Sequence, residues 1–121
     1  MFFHSRILYK NLNLFFLVIL STVIPMVVSA APNDQNRWDK YYNMEEFIYG
    51  TEPIPFLRDN INLLPKNKAL DLAMGEGRNG VYLATQGFDV LGLDISPIGL
   101  KKAHQLAEHH NVTIQTQVVD L

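Results

Sequence analysis

Between Ala69 and Ser96 the chain reads ALDLAMGEGRNGVYLATQGFDVLGLDIS, and few folds admit that order. Lys68 to Ala73 is short and mainly apolar, as a buried strand is. Gly75, Gly77 and Gly80 follow at once. Val81 to Gln86 is a short helical run, and Gly87 is placed to end it with a positive φ. Phe88 to Leu93 reads as a second strand, with Asp94 at its carboxyl end. A βαβ unit of this kind takes its ligand in the crevice beyond the strand ends.

The glycines carry a physical meaning. Without a Cβ, the backbone at Gly75 and Gly77 can come into contact with a ligand. A helix starting near Asn79 or Gly80 points free N–H groups and its positive end at the same place, which favours an anionic group. Asp94 stands 19 residues after Gly75, near the roughly 20-residue spacing that sets a carboxylate on ribose hydroxyls.

Two nucleoside ligands meet these terms. Gly75-Glu76-Gly77-Arg78-Asn79-Gly80 is literally G-x-G-x-x-G, the dinucleotide fingerprint. S-adenosylmethionine also has a ribose and an adenine, but it carries an amino acid where NAD has a pyrophosphate. Asp71 bears on the choice. A carboxylate inside an apolar strand is costly unless it is partnered. Beside a pyrophosphate it adds repulsion, and beside the ammonium of a methionine moiety it is paired. The plainer alternative is that Asp71 accepts hydrogen bonds from turn N–H groups.

Asp71-Leu-Ala-Met-Gly-Glu-Gly-Arg-Asn79, followed by Leu93-Asp-Ile-Ser96, resembles the first motif and following acid of class I S-adenosylmethionine-dependent methyltransferases. Trp38-Asp-Lys-Tyr-Tyr42 and Tyr49-Gly-Thr-Glu-Pro-Ile-Pro-Phe-Leu57 resemble the branch that holds the tellurite-resistance methyltransferases. The resemblance runs from Trp38 to Leu121. It implies a Rossmann-like, doubly wound parallel sheet and S-adenosyl-L-methionine as cofactor. It also implies cofactor-binding positions at Tyr41, Tyr49, Asp71, Ala73, Gly75, Gly77, Arg78, Asp94, Ile95, Asp120 and Leu121. Tyr41 and Tyr49 would lie at the methionine end, where an aromatic face suits a sulfonium. Arg78 would meet the cofactor carboxylate or a neighbouring acid, and Asp120 with the following N–H would meet the adenine. One departure stands in the motif: Ala73-Met74 replaces the branch's Cys or Gly before the first glycine, and the bulk of Met74 is expected to tighten the pocket wall.

Composition narrows the classes. The chain has 121 residues and a net charge of −2, enough for one small domain. There is no basic excess to draw nucleic acid. With no cysteine, disulfides, thiolate catalysis and zinc–thiolate sites are excluded. Of the four histidines, His104, His109 and His110 lie in or after one helix, and no metal-ligating constellation surrounds them.

Residues 1–30 read as a signal peptide or membrane anchor. Arg6 and Lys10 precede an apolar run from Leu14 to Val28, and small residues follow at Ser29, Ala30 and Ala31. Cleavage is expected before Ala31. The charge order favours an exported or membrane-anchored protein, whereas a start at Met26 would leave it cytoplasmic.

Residues 31–66 form a leading cap. Pro32 to Asn36 reads as a polar linker, and Trp38 to Phe47 as an aromatic, acidic leading helix. Phe56, Leu57, Ile61 and Leu64 recur at helical spacing until Pro65 stops them. Residues 67–121 form the cofactor-binding half of a methyltransferase domain. In it Ser96 caps a helix with Pro97 at its first position. Leu100, Ala103, Leu106 and Ala107 are the buried stripe, while Lys101, Lys102, His104 and Glu108 take the solvated side. His109-His110-Asn111 closes that helix. Val112, Ile114, Thr116 and Val118 alternate through a third strand ending at Asp120.

The expected architecture is thus a doubly wound sheet truncated after its third strand, with the first strand an apolar edge. The expected function is methyl transfer to a small-molecule acceptor, with no catalytic residue identified and no oligomeric state implied. Two other readings stand beside it: an NAD-binding oxidoreductase and a non-catalytic fragment.

Overall fold

A computed structural model describes residues 33–121, which lie in one compact unit, Ala31–Leu121. The expected leader, its cleavage point and the alternative start at Met26 lie outside the described residues. Among the described residues no helix is long and apolar enough to cross a membrane.

Three parallel strands form the sheet: β1 (Lys68–Leu72), β2 (Asp89–Asp94) and β3 (Gln115–Val118), in the order β1-β2-β3. Lys68 pairs with Asp89 and Leu72 with Leu93, while Leu91 pairs with Gln115 and Asp94 with Val118. Helix α3 (Arg78–Thr85) joins the first two strands and α4 (Pro97–His109) joins the last two. Ahead of them lie α1 (Asp34–Tyr42), α2 (Pro55–Asn60) and a 3₁₀ turn, Ile61–Leu63.

The core lies between the sheet and the two crossover helices. Side chains alternate across a strand. In β2, Val90, Gly92 and Asp94 face the helices and are buried, whereas Asp89 and Leu91 face away and are exposed. Val90 meets Val81 of α3 and the expected stripe of α4, all four of whose members are buried. On the other face Leu70 and Leu72 are 58% and 57% exposed. The open, parallel, Rossmann-like sheet and its apolar first strand are as the sequence implies.

Local chemistry sets the ends of the elements. Ala73 leaves the strand with φ 53°, so β1 stops one residue short of the expected span. Gly87 ends α3 at φ 90°. Ser96 caps α4, its hydroxyl oxygen accepting from the Gly99 N–H at 3.0 Å. Asn111, at φ 56°, turns the chain away after α4, and the Val112 N–H then donates back to the Ala107 carbonyl at 3.0 Å. That bond holds Val112 outside the third strand, which is therefore shorter than its alternation suggests.

Three expectations need correction. The polar stretch before Trp38 is helix rather than linker over Asp34–Asn36, because the Asn33 side chain caps it by accepting from the Gln35 N–H at 2.9 Å. The leading helix ends at Tyr42, and residues 43–54 cross the molecule as an irregular strap. Phe56 and Leu64, expected in the core, are 76% and 44% exposed; of that helical set Ile61 is buried and Leu57 partly so.

Candidate active site

The carboxyl ends of the three strands, the glycine turn and the strap enclose a cleft of about 460 Å³. That is within the usual range for small-ligand sites. Its floor is the segment from Asp71 to Arg78, its far end is Val119 to Leu121, and Tyr49 and Gly50 of the strap lie along its rim.

The floor is tied together by Asp94. Its Oδ2 accepts the Gly75 N–H at 2.7 Å, and its Oδ1 accepts the Ser96 N–H at 2.8 Å. One carboxylate therefore joins the glycine turn to the start of α4. Each oxygen has a second lone pair free for a ligand hydroxyl. The Met74 N–H donates to the Leu93 carbonyl at 2.9 Å, which extends the β1–β2 pairing into the turn.

Protein packing accounts for the glycines. Gly75 and Gly77 have φ 56° and 86°, a region costly for residues with a Cβ. A Cβ on Gly75 would sit 2.7 Å from the Tyr42 hydroxyl, and one on Gly77 would sit 2.6 Å from the Ala103 Cβ. Gly80 and Gly92 serve a different neighbour: a Cβ on either would run into the Met74 side chain. Met74 is buried and points into the core, its thioether filling the space the two glycines leave. Met74 thus belongs both to the lining of the cleft and to the core beneath it.

Asp71 is held unlike Asp94. Its Oδ2 is buried and has no partner at hydrogen-bonding geometry. Burial raises its pKa above the ordinary value; the facing Gly80 N–H acts in the opposite sense, and the charge of Asp94 adds to the rise. Asp34, Asp71, Glu76, Asp94 and Asp120 all line the cleft, against one cation, Arg78.

The strap is fastened by side chains reaching from the floor and from α4. Glu76 Oε2 accepts the Ile48 N–H at 2.8 Å. Arg78 donates to the Tyr49 carbonyl at 3.1 Å, and its guanidinium lies 5.7 Å from the Tyr49 ring centre. Asn79 Oδ1 accepts the Ile54 N–H at 3.0 Å. Lys102, assigned by sequence to the solvated side, is buried: its ammonium pairs with Glu76 and donates to the Met44 and Glu46 carbonyls at 2.9 and 2.6 Å. The reason is its place on α4, three residues after Gly99 and four before Leu106, both on the covered face.

Helix α1 completes the rim. Asp39 accepts the Ser96 hydroxyl at 2.5 Å and the Ile98 N–H at 3.4 Å, so its charge sits at the positive end of α4. Trp38 stacks on Tyr42 with ring centres 5.5 Å apart, and both line the cleft. Burial and the charge of Asp94 push the Tyr42 hydroxyl above the usual tyrosine range, so it stays protonated.

Tyr49, Asp71, Ala73, Gly75, Gly77, Arg78, Asp94, Ile95, Asp120 and Leu121 all line the cleft. Tyr41 is not among the lining residues. It is 45% exposed, and its ring packs behind the rim, 6.3 Å from Tyr49. Its neighbour Tyr42 enters instead, because Gly75 and Gly99 leave a slot on that side of α1. Arg78, expected at the ligand carboxylate or an acid, is engaged with the strap. Trp38, read from the sequence as part of the leading helix, also stands in the cleft wall. Sequence reasoning also passed over Asp39, Tyr42, Asn79 and Lys102; for Lys102 the helical spacing from Gly99 was the available signal. Among the described residues no cluster of acids and histidines could hold a metal.

Comparison with known proteins bears on this geometry. The family model described as tellurite resistance protein TehB matches residues 31–121. A probable S-adenosyl-L-methionine-dependent methyltransferase TehB of Haemophilus influenzae is 30% identical over 87 residues, covering 72% of this chain and 28% of that protein. The crystal structure of TehB from Haemophilus influenzae superposes with a TM-score of 0.50 at 26% identity, over 73% of this chain and 29% of that one. The Pyrococcus abyssi tRNA (uracil-54, C5)-methyltransferase, in complex with S-adenosyl-L-homocysteine, gives a TM-score of 0.50 at 31% identity, over 55% of this chain and 17% of that one. The chain thus spans less than a third of the length of these relatives. Because the family match takes in every described residue, cleft and strap included, the chain belongs to the TehB tellurite-resistance family of S-adenosyl-L-methionine-dependent methyltransferases.

Proposed function

We propose that the cleft binds S-adenosyl-L-methionine and that the protein carries its methyl group to a small-molecule acceptor. The observation that carries the reading is the unpartnered, buried Oδ2 of Asp71 in a cleft lined by five acids and one arginine. Such a lining repels a pyrophosphate and suits a ligand bearing an ammonium and a sulfonium. The single arginine is already engaged with the strap. These charges speak against the dinucleotide that the glycine spacing alone would allow, and they do not favour nucleic-acid phosphates.

Bound there, S-adenosylmethionine supplies an electrophilic methyl group on a positively charged sulfur. Asp71 would take the ammonium, and the outward lone pairs of Asp94 the ribose hydroxyls. Val119 to Leu121 would border the adenine. Tyr49 on the rim offers an aromatic face toward the cationic end. These residues align the donor and exclude water, the main demands of a methyl displacement.

Titration of the full chain with S-adenosylhomocysteine, and separately with NADH, tests this. Saturable binding of the first alone is expected, weakened by Asp71→Asn through loss of the ammonium's counter-charge. Saturable NADH binding without S-adenosylhomocysteine binding would overturn the reading.

A further inference from the structure

The buried ammonium of Lys102, which fastens the strap, takes no part in the cofactor reading. Burying a lysine is costly unless its charge is met. Here it is met from several directions. Glu76 pairs with it, the Met44 and Glu46 carbonyls accept from it, and the Phe47 ring centre lies 4.9 Å away. The Tyr42 carbonyl lies at 3.5 Å. The partners from Tyr42 to Phe47 belong to the end of α1 and to one irregular stretch of strap, which curls about the charge as a loop curls about a bound cation. The same Glu76 then accepts the Ile48 N–H with its other oxygen. Tyr49, the rim residue, comes next in the chain.

We infer that Lys102 is a positioning residue: it acts through Glu76 and the strap to hold Tyr49 and Gly50 along the floor. It does not line the cleft itself. What it sets is the end of the cleft at the glycine turn and Arg78, while the end at Val119 to Leu121 is built without the strap. The inference rests on the cofactor reading above, in which the amino-acid moiety lies at the strap end. It requires that loss of the ammonium weaken ligands bearing the amino-acid moiety and spare ligands that lack it.

The experiment compares S-adenosylhomocysteine with 5′-methylthioadenosine, which has no amino-acid end, on full-length wild type, Lys102→Met and Lys102→Ala. Lys102→Met is expected to weaken S-adenosylhomocysteine about tenfold, or 1.4 kcal/mol, and to leave methylthioadenosine within about twofold. In Lys102→Ala the truncated part is the size of n-propylammonium. Adding that cation at millimolar concentration is expected to restore affinity in this variant and not to change the wild type. Equal losses for both ligands, or no loss for S-adenosylhomocysteine, would overturn the inference alone. A wild type that binds neither ligand would overturn the cofactor reading and this inference with it. Should the variants fail to fold, hydrogen exchange on the wild type decides. The Ile48 amide must be better protected with S-adenosylhomocysteine than with methylthioadenosine, and equal protection refutes the inference.

Discussion

The floor of the cleft and the strap above it are secured in different ways. The floor is backbone: β1 and β2 pair residue by residue, and the glycine turn continues that pairing through the Met74 N–H. One side chain, Asp94, locks the turn to α4. The strap has no ladder of its own. It hangs on Glu76, Arg78, Asn79 and Lys102, each reaching a backbone group 25 or more residues away in the chain. Asp94 apart, a wall built from paired strands resists the loss of a side chain. A wall hung from single side chains is the one expected to open first.

The largest effect expected from that contrast falls on the one side chain the floor depends on. Asp94→Ala leaves the Gly75 and Ser96 N–H groups buried without acceptors, at about 1–3 kcal/mol each. Urea denaturation should show a loss of several kcal/mol together with loss of S-adenosylhomocysteine binding. A loss below about 1 kcal/mol would mean that the floor stands without its lock. Next comes a strap contact. Asn79→Ala frees the Ile54 N–H at a half-buried site and should cost about 1 kcal/mol. Limited proteolysis should then cut faster within residues 43–54 and no faster within β1 or β2. Equal acceleration in both regions would erase the distinction between the two walls.

The smallest effect is a matter of sign. Burial raises the Asp71 pKa in the folded chain above its ordinary value of 3.8. Between 3.8 and the raised value the folded state holds a proton that the unfolded state has released. Stability contributed by Asp71 is therefore present at the acid side of that window and declines as the pH rises through it. Asp71→Asn should remove this decline and raise the melting temperature at pH 7, by less than Asn79→Ala lowers it. A ligand ammonium paired with Asp71 should displace the proton, so binding measured within the window should release protons to the buffer. A melting temperature lowered by Asp71→Asn would assign Asp71 a structural partner.

The same contrast explains what could be read from the sequence. Strand, glycine turn, helix and strand follow one another without interruption, so their periodicity and punctuation were legible residue by residue. Gly87, Ser96 and Pro97 mark their boundaries through local chemistry: a positive φ, a side-chain cap and a fixed φ. The first strand ended early because Ala73 turns to a positive φ, which its sequence neighbours do not announce. The strap was illegible for another reason: nothing near Met44 or Glu46 says that their carbonyls will face an ammonium more than 50 residues on. A lysine beside Lys101 suggests solvent, although the spacing of Lys102 from Gly99 and Leu106 places it on the covered face. Adjacent tyrosines such as Tyr41 and Tyr42 differ only in what their helix meets, and the slot for Tyr42 is made by two distant glycines.

The thioether of Met74, enclosed between Gly80 and Gly92, gives the floor a chemical clock. Peroxide converts methionine to its polar sulfoxide only where the sulfur can be reached. Met74 is 7% exposed and Met44 on the strap 54%. Their relative oxidation rates, read by mass spectrometry of peptides, therefore time how often the floor parts from the helix above it. Once oxidised, Met74 would carry an oxygen into a space two glycines have shaped for sulfur and methyl alone, and the turn could not close over it again.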